Sequence, residues 1–403
     1  MKFSIKKIGP GLLFAGAAIG VSHLVQSTRA GADFGFGLVW ALLLAHLFKY
    51  PFFQFGPRYA LATGETLLDG YKKLGKGVLI AYFILTFATM FTIQTAVTVV
   101  TAGLASSLFG DFISIEVWTA ILLAICLLIL ILGKYSFLDR FMKYIVITLT
   151  ITTLIAVAFA FDTTSEPPDL SQVFPRATEF GFLIAFMGWM PAPLDISVWH
   201  SLWAIEKRKN TTDFDVKSSL FDFNVGYTAT IIIGLGFLAL GAIVMFNSVE
   251  SFSPQAGAFS NQLISMYTSS LGDWSFYIIA IAAFTTMLST SLTTLDASPR
   301  AMAKTSELIF KQTSKPGYVF WILTLTIGTL IIFFFFQSEM GLLVKIATIL
   351  SFLTAPFYAI INYRLICSKY TPKEWRPSIK LHVMSCLGIL FLIGFSIWYL
   401  SIL

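Results

Sequence analysis

Gly188-Trp189-Met190-Pro191-Ala192-Pro193-Leu194-Asp195 interrupts an apolar run that extends from about residue 179 to 204. Pro191 and Pro193 each lack a backbone N–H, and each turns the residue before it away from helical backbone. Two prolines at this spacing predict a helix that opens rather than one that only kinks. The carbonyls freed upstream and the new helix start at Asp195 then need partners. Inside a bilayer, such backbone survives only where protein buries it or where it lines a polar cavity.

The surroundings place this break in a membrane. Apolar residues make up 57% of the 403-residue chain and charged residues 12%, with a mean hydropathy of +0.81. A soluble domain carries roughly 25% charged residues, so lipid is the solvent that suits this composition. Eleven runs are each long enough to cross a hydrocarbon core of about 30 Å. They lie near 8–28, 36–62, 77–107, 113–133, 138–161, 179–204, 218–246, 274–298, 317–337, 341–363 and 381–402. The run at the start, behind Lys2, Lys6 and Lys7, imitates a signal peptide. Apolar character continues through the whole chain, so it is better read as a first membrane helix. One outer connection, 247–273, is expected to hold a short amphipathic helix around Phe259–Met266. Phe333–Phe336 read as lipid-facing bulk.

Charge placement tests the count. With the N-terminus in the cytoplasm, the inner segments hold 22 of the 27 basic residues, in clusters at 2–7, 72–76, 134–143, 207–217, 300–315 and 364–380. The outer loops hold Arg29 and Arg176 and are otherwise acidic, with Glu166 and Glu250 among them. Every loop follows the positive-inside rule, which predicts a multi-pass protein of the inner membrane with its C-terminus outside. The net charge of +6 sits in short loops and forms no continuous patch, so no nucleic-acid partner is expected. Cys126, Cys367 and Cys386 show no disulfide or metal spacing, and no cofactor is expected. His23, His46, His200 and His382 lack metalloprotease spacing, and an enzyme is not expected.

The first span breaks too. Gly16 and Gly20 form a small-residue face, and Ser22, His23 and Gln26 follow near mid-membrane. Spans one and six open two five-helix halves, near 8–161 and 179–363, and an odd count gives those halves opposite orientation. Broken helices at matching places in inverted halves point to a transport site at the membrane midplane. The expected architecture is an all-α single transmembrane domain, residues 1–403, of two inverted halves plus an eleventh helix at 381–402.

Several stretches resemble the Nramp family of divalent-metal transporters. Gly9-Pro10-Gly11, Ala30-Gly31-Ala32-Asp33-Phe34-Gly35 leading into Trp40, Arg58 with Thr63-Gly64, and Met190-Pro191 all match family motifs; Leu350-Ser351 with Pro356-Phe357 matches loosely. The resemblance covers most of the chain and is densest over residues 9–70. It implies a LeuT-like fold, alternating access and cation uptake, often coupled to protons. The departures fall at the metal site. The family's Asp-Pro-Gly-Asn reads Gly20-Val21-Ser22-His23 here, its Met-Pro-His reads Met190-Pro191-Ala192, and its tenth-helix Gln aligns with Ala347. A small organic or anionic solute is therefore an alternative substrate to a metal cation.

The candidate substrate-binding residues are Gly20, Ser22, His23, Gln26, Met190, Ala192 and Asp195. His23, Met190 and Asp195 are the candidate metal ligands. Asp195 suits either an N-cap or a substrate and proton role. His46, Tyr50, Gln54 and Arg58 lie four residues apart and share one helix face. Lys49, near mid-span, costs roughly 2.5–3.5 kcal/mol to insert unless it finds a partner, and Asp195 and Asp296 are candidate counter-ions. His46, Lys49, Arg58, His200 and Asp296 are candidate proton-relay or gating groups, with Arg58, Asp222 and Asp296 forming an inner gate. The hydroxyl run Ser289-Thr290-Ser291 with Thr293-Thr294 either lines a cation path or bonds to its own helix.

Overall fold

A computed structural model describes the chain except residues 1–8, 133–134, 164–168, 177–178, 211–213, 247–252, 254, 311–316, 336–339 and 402–403. Lys2, Lys6, Lys7, Lys134, Glu166, Glu250, Lys311, Lys315 and Phe336 lie outside the described residues.

The described residues are helical without strands. The first span starts as α1 (Pro10–Ala18), with proline at the first helical position, where its missing N–H is no loss. The helix stops at Ile19-Gly20-Val21. It resumes as a π-helical turn, Ser22–Ser27, and continues into α2 (Thr28–Phe34); the two parts are bent by 49°. The span therefore runs past its expected end at 28. α3 (Val39–Thr63) follows and ends on Gly64, which takes the left-handed conformation a helix C-cap favours. α4 (Leu67–Leu74) is a short helix that starts on a Thr66–Asp69 capping box. α5 (Lys76–Phe109), α6 (Ile115–Leu132) and α7 (Tyr135–Thr163) complete the first half.

The sixth span divides as the prolines require, into α8 (Phe180–Trp189) and α9 (Ile196–Asn210). α10 (Val216–Val244), α11 (Ala256–Leu271), α12 (Phe276–Phe310), α13 (Gly317–Phe335), α14 (Met340–Cys367) and α15 (Ile379–Ser401) follow. α11 lies where the amphipathic segment was expected, and is longer. Among the described residues, seven helices are long and apolar enough to cross a membrane by themselves, and the bent first pair makes an eighth. The chain is thus a multi-pass membrane protein. α3 is not among the seven; it carries Lys49 and Arg58, which the rest of the bundle has to accommodate.

Helix contacts put the two breaks side by side. Gly31 on α2 and Gly241 on α10 face the other helix so closely that a Cβ at either would land on backbone. That approach fixes the second half of the first span against α10. The aromatic run corrects one expectation. Phe333 is fully buried, whereas Phe334 and Phe335 are exposed.

Candidate functional site

The carbonyls freed by the sixth-span break have one principal partner. Pro191 cannot donate to the carbonyl of Met187, and Ala192 has left the helix and cannot reach that of Gly188. The buried Lys49 ammonium donates to both instead, at 2.8 and 2.7 Å, and approaches the Ala192 carbonyl at 3.4 Å. A cation at this place also meets the negative end of the α8 dipole. Lys49 therefore pairs with backbone oxygens, and the ion pair expected with Asp195 or Asp296 does not form. Met190, fully buried within the break, has its thioether sulfur 3.8 Å from the Ser27 hydroxyl.

The first-span break is covered by hydroxyls. Thr290 Oγ1 on α12 lies 3.2 Å from the Gly16 carbonyl and 3.3 Å from that of Ile19. Ser22 Oγ is 2.6 Å from the Ala18 carbonyl and 2.7 Å from His23 Nδ1. His23 Nε2 reaches the Thr230 carbonyl at 3.1 Å. Both ring nitrogens are occupied within the protein, so His23 is held as a bridge from the break to α10. Gln26 is buried, and its Oε1 has no hydrogen-bond partner among the described residues. A Cβ at Gly20 would come within 2.8 Å of the Thr290 methyl.

Between the two breaks lies a hollow of about 30 Å³, lined by Gly20, Ser22, Trp189, Pro193, Trp199, Thr290, Thr294 and apolar neighbours. That volume holds about one water or one small ion. Its polar side chains are at most 4% exposed, while Pro193 on its wall is partly exposed. No carboxylate lines it.

Asp195 sits at the start of α9, with the N–H groups of Asp195 and Ile196 on its carboxylate. It is 5% exposed, and its Oδ1 has no partner among the described residues. Capping and an unsatisfied buried oxygen thus occur in one side chain. Tyr71, Tyr82 and Tyr358 surround it electrostatically, and their rings form a contiguous series. Beside them, Asn362 on α14 donates to Ser197 Oγ at 2.9 Å and to the Phe52 carbonyl at 3.3 Å, and accepts from Tyr71 at 2.5 Å.

The remaining candidates divide. His46 donates from Nδ1 to the Leu42 carbonyl at 2.8 Å, which leaves Nε2 as an unpartnered acceptor. The predicted face of α3 forms a hydrogen-bond ladder, Arg58 to Gln54 to Tyr50 to Asn224. His200 stacks on Phe14 and Phe223, and neither ring nitrogen finds a partner among the described residues. Arg58, Asp222 and Asp296 do not form the expected common gate. Asp222 caps α1, Asp296 accepts from Arg300 at 2.7 Å and from Tyr318 at 2.6 Å, and Arg58 turns along its own helix. The hydroxyl run bonds to its own helix through Thr293, and it also ties α12 to α5, where Thr294 donates to Gln94 at 2.6 Å and Ser291 meets Thr101 at 2.8 Å. Gln94, Thr101, Thr230 and Asn362 were not singled out from sequence. They lie on otherwise apolar helices among other hydroxyl-bearing or polar residues, which made none of them stand out.

Known proteins show the same plan. A profile for Nramp, described as natural resistance-associated macrophage protein-like, matches residues 11–401. An uncharacterized Pasteurella multocida protein is 38% identical over 402 residues, covering 98% of this chain and 92% of that protein. A Staphylococcus aureus divalent metal cation transporter, MntH, is 25% identical over 256 residues, covering 60% of this chain and 56% of that protein. The crystal structure of an Eremococcus coleocola manganese transporter with an aromatic bis-isothiourea compound superposes with a TM-score of 0.75. It is 13% identical and covers 96% of this chain and 84% of that one. At that identity the likeness shows the fold, which is LeuT-like, with two inverted five-helix halves and an eleventh helix. With two broken helices around a small hollow and a family match across nearly its whole length, the chain belongs to the Nramp family.

Proposed function

We propose that this protein carries a divalent metal cation across the inner membrane by alternating access, with the hollow between the two breaks as the binding place. The observation that carries this is the pair of facing helix breaks around a space large enough for one ion. The names of the Staphylococcus aureus and Eremococcus coleocola relatives, a divalent metal cation transporter and a manganese transporter, support the substrate class.

Gly20, Ser22, Trp189, Pro193, Thr290 and Thr294 line that hollow, and His23 and Gln26 lie outside its lining. Met190 and Asp195, on the same loop but also outside the lining, are the ligands proposed for the ion-bound state, into which the 190–195 loop would turn them. With Asp195 as the one carboxylate, the ion keeps part of its water shell. That suits a strongly hydrated dication such as magnesium better than the family's usual transition metals. Proton coupling is proposed through Asp195 and the buried histidines. The clustering of basic residues supports a cytoplasmic N-terminus and an outer C-terminus.

Flux into proteoliposomes, measured for a panel of divalent cations with and without a pH gradient, tests this. Uptake of at least one dication by the purified protein is expected. No uptake of any of them, together with thermal stabilisation by an organic solute, would overturn it.

A further inference from the structure

Lys49 has a burial and a set of partners unlike those of any ordinary structural lysine. It is 1% exposed, its Nζ is held by backbone carbonyls alone, and those carbonyls belong to the break proposed as the transport site. Among the described residues, no carboxylate forms a salt bridge with it. An array of carbonyl oxygens at a helix C-terminus, cut off from water, is the chemistry that accepts a desolvated monovalent cation. The Met187 carbonyl lost its helical donor to Pro191 and that of Gly188 to the opening of the helix, while the Ala192 carbonyl lies in the break itself. They would bind a free cation if no side chain reached them.

We propose that the Lys49 ammonium is a tethered cation. It fills the carbonyl seat at the end of α8, and it yields that seat when the transported ion arrives. The inference rests on the cation-transport reading for its second half only. Its physical ground is mutual exclusion. Ala192, whose carbonyl faces Lys49, lies two residues from Met190 and three from Asp195, so a dication held by this loop sits beside a positive charge in a dry site. The two cannot be accommodated together at full charge. Lys49 thus sets a threshold that an ion must overcome to bind. It also supplies positive charge to the break when no ion is there, so the empty carrier needs no free counter-cation to close.

The first test needs no transport. Purified wild-type protein and the Lys49→Ala variant are melted in choline, sodium, potassium, ammonium and methylammonium chlorides at equal ionic strength. Wild type is expected to melt at one temperature in all five. Lys49→Ala is expected to melt lower in choline and to recover several degrees in at least one small cation, because the vacated seat then takes a free ion. A Lys49→Ala protein that melts alike in all five salts overturns the proposal, as does a wild type that is equally salt-sensitive. If Lys49→Ala does not accumulate, Lys49→Gln, which keeps a donor but removes the charge, undergoes the same comparison.

The second test concerns the exchange. In proteoliposomes, Lys49→Gln is expected to show a severalfold lower KM for the dication than wild type, while Lys49→Arg does not. An unchanged or raised KM in a Lys49→Gln protein that melts like wild type overturns the exchange. If the wild type moves no dication at all, the transport reading fails, and the melting comparison still decides whether Lys49 occupies a cation seat.

Discussion

Asp222 on α10 accepts the backbone N–H of Gly11 at 2.6 Å, and its other oxygen takes that of Gly9 at 3.0 Å. One buried carboxylate thus caps the first turn of α1, where orphan donors and the positive helix end both favour negative charge. α1 is the first half of a broken helix, and with the N-terminus on the inner side, as proposed, this cap is expected to act as a latch on the inner closure. Asp222→Ala is expected to lower stability by roughly 1–2 kcal/mol, the size of a lost helix cap. It should also raise labelling of a cysteine introduced at Ala15 by a membrane-permeant thiol reagent. An unchanged labelling rate would separate α1 from the closure.

Thr290 matters because its one hydroxyl proton is shared between the Gly16 and Ile19 carbonyls of the first break, at 3.2 and 3.3 Å, and the Thr286 carbonyl of its own helix, at 3.1 Å. Thr290→Val keeps the shape and removes that donor. The expected loss is about 1–3 kcal/mol, the desolvation penalty of an unsatisfied buried acceptor. Thr290→Ser should retain most of the stability. Denaturant melts of the three proteins in detergent check this, and equal stability of Thr290→Val and wild type would show that water replaces the hydroxyl.

Asp195→Asn keeps the side-chain volume and an oxygen that can accept from the first N–H groups of α9, so folding should survive. Flux is expected to fall severely, because the buried charge nearest the break is gone. Melting temperature and monodispersity report the fold, and uptake reports the function. Normal uptake would remove Asp195 from the mechanism.

Met190→Leu is close to a volume-conserving change and is expected to cost less than about 1.5 kcal/mol. It removes the only soft donor proposed at the break. Uptake of cadmium or manganese should fall more than uptake of magnesium, because thioether sulfur favours softer ions. Equal losses for all three metals would mean that Met190 shapes the site without contacting the ion.

Much of the architecture was legible in the chain. The spans were readable because each is a continuous apolar run, and the breaks because Pro191, Pro193 and Gly20 act on backbone within a residue or two of themselves. α4 was missed, although Thr66-Leu67-Leu68-Asp69 carries a capping-box signature in plain view. The partners of Lys49 were not legible. A lysine at mid-span demands compensation, and sequence favours looking for a carboxylate. Freed carbonyls are invisible in a residue list because every residue has one. The same holds for Thr290, whose hydroxyl reaches a helix 270 residues away in the chain as well as its own. Asp222 was placed near the inner closure without its partners, since Gly9 and Gly11 receive it through main-chain atoms.

The amide of Asn362 joins α14 to α3, α9 and α4 through three hydrogen bonds at one point. A pin through four rods lets them pivot but not slide apart. If α9 tilts during a cycle, the tenth span and the short membrane-surface helix must travel with it. The inner half of the sixth span then moves as part of a block, and the stroke is borne where that block meets α1 rather than within it.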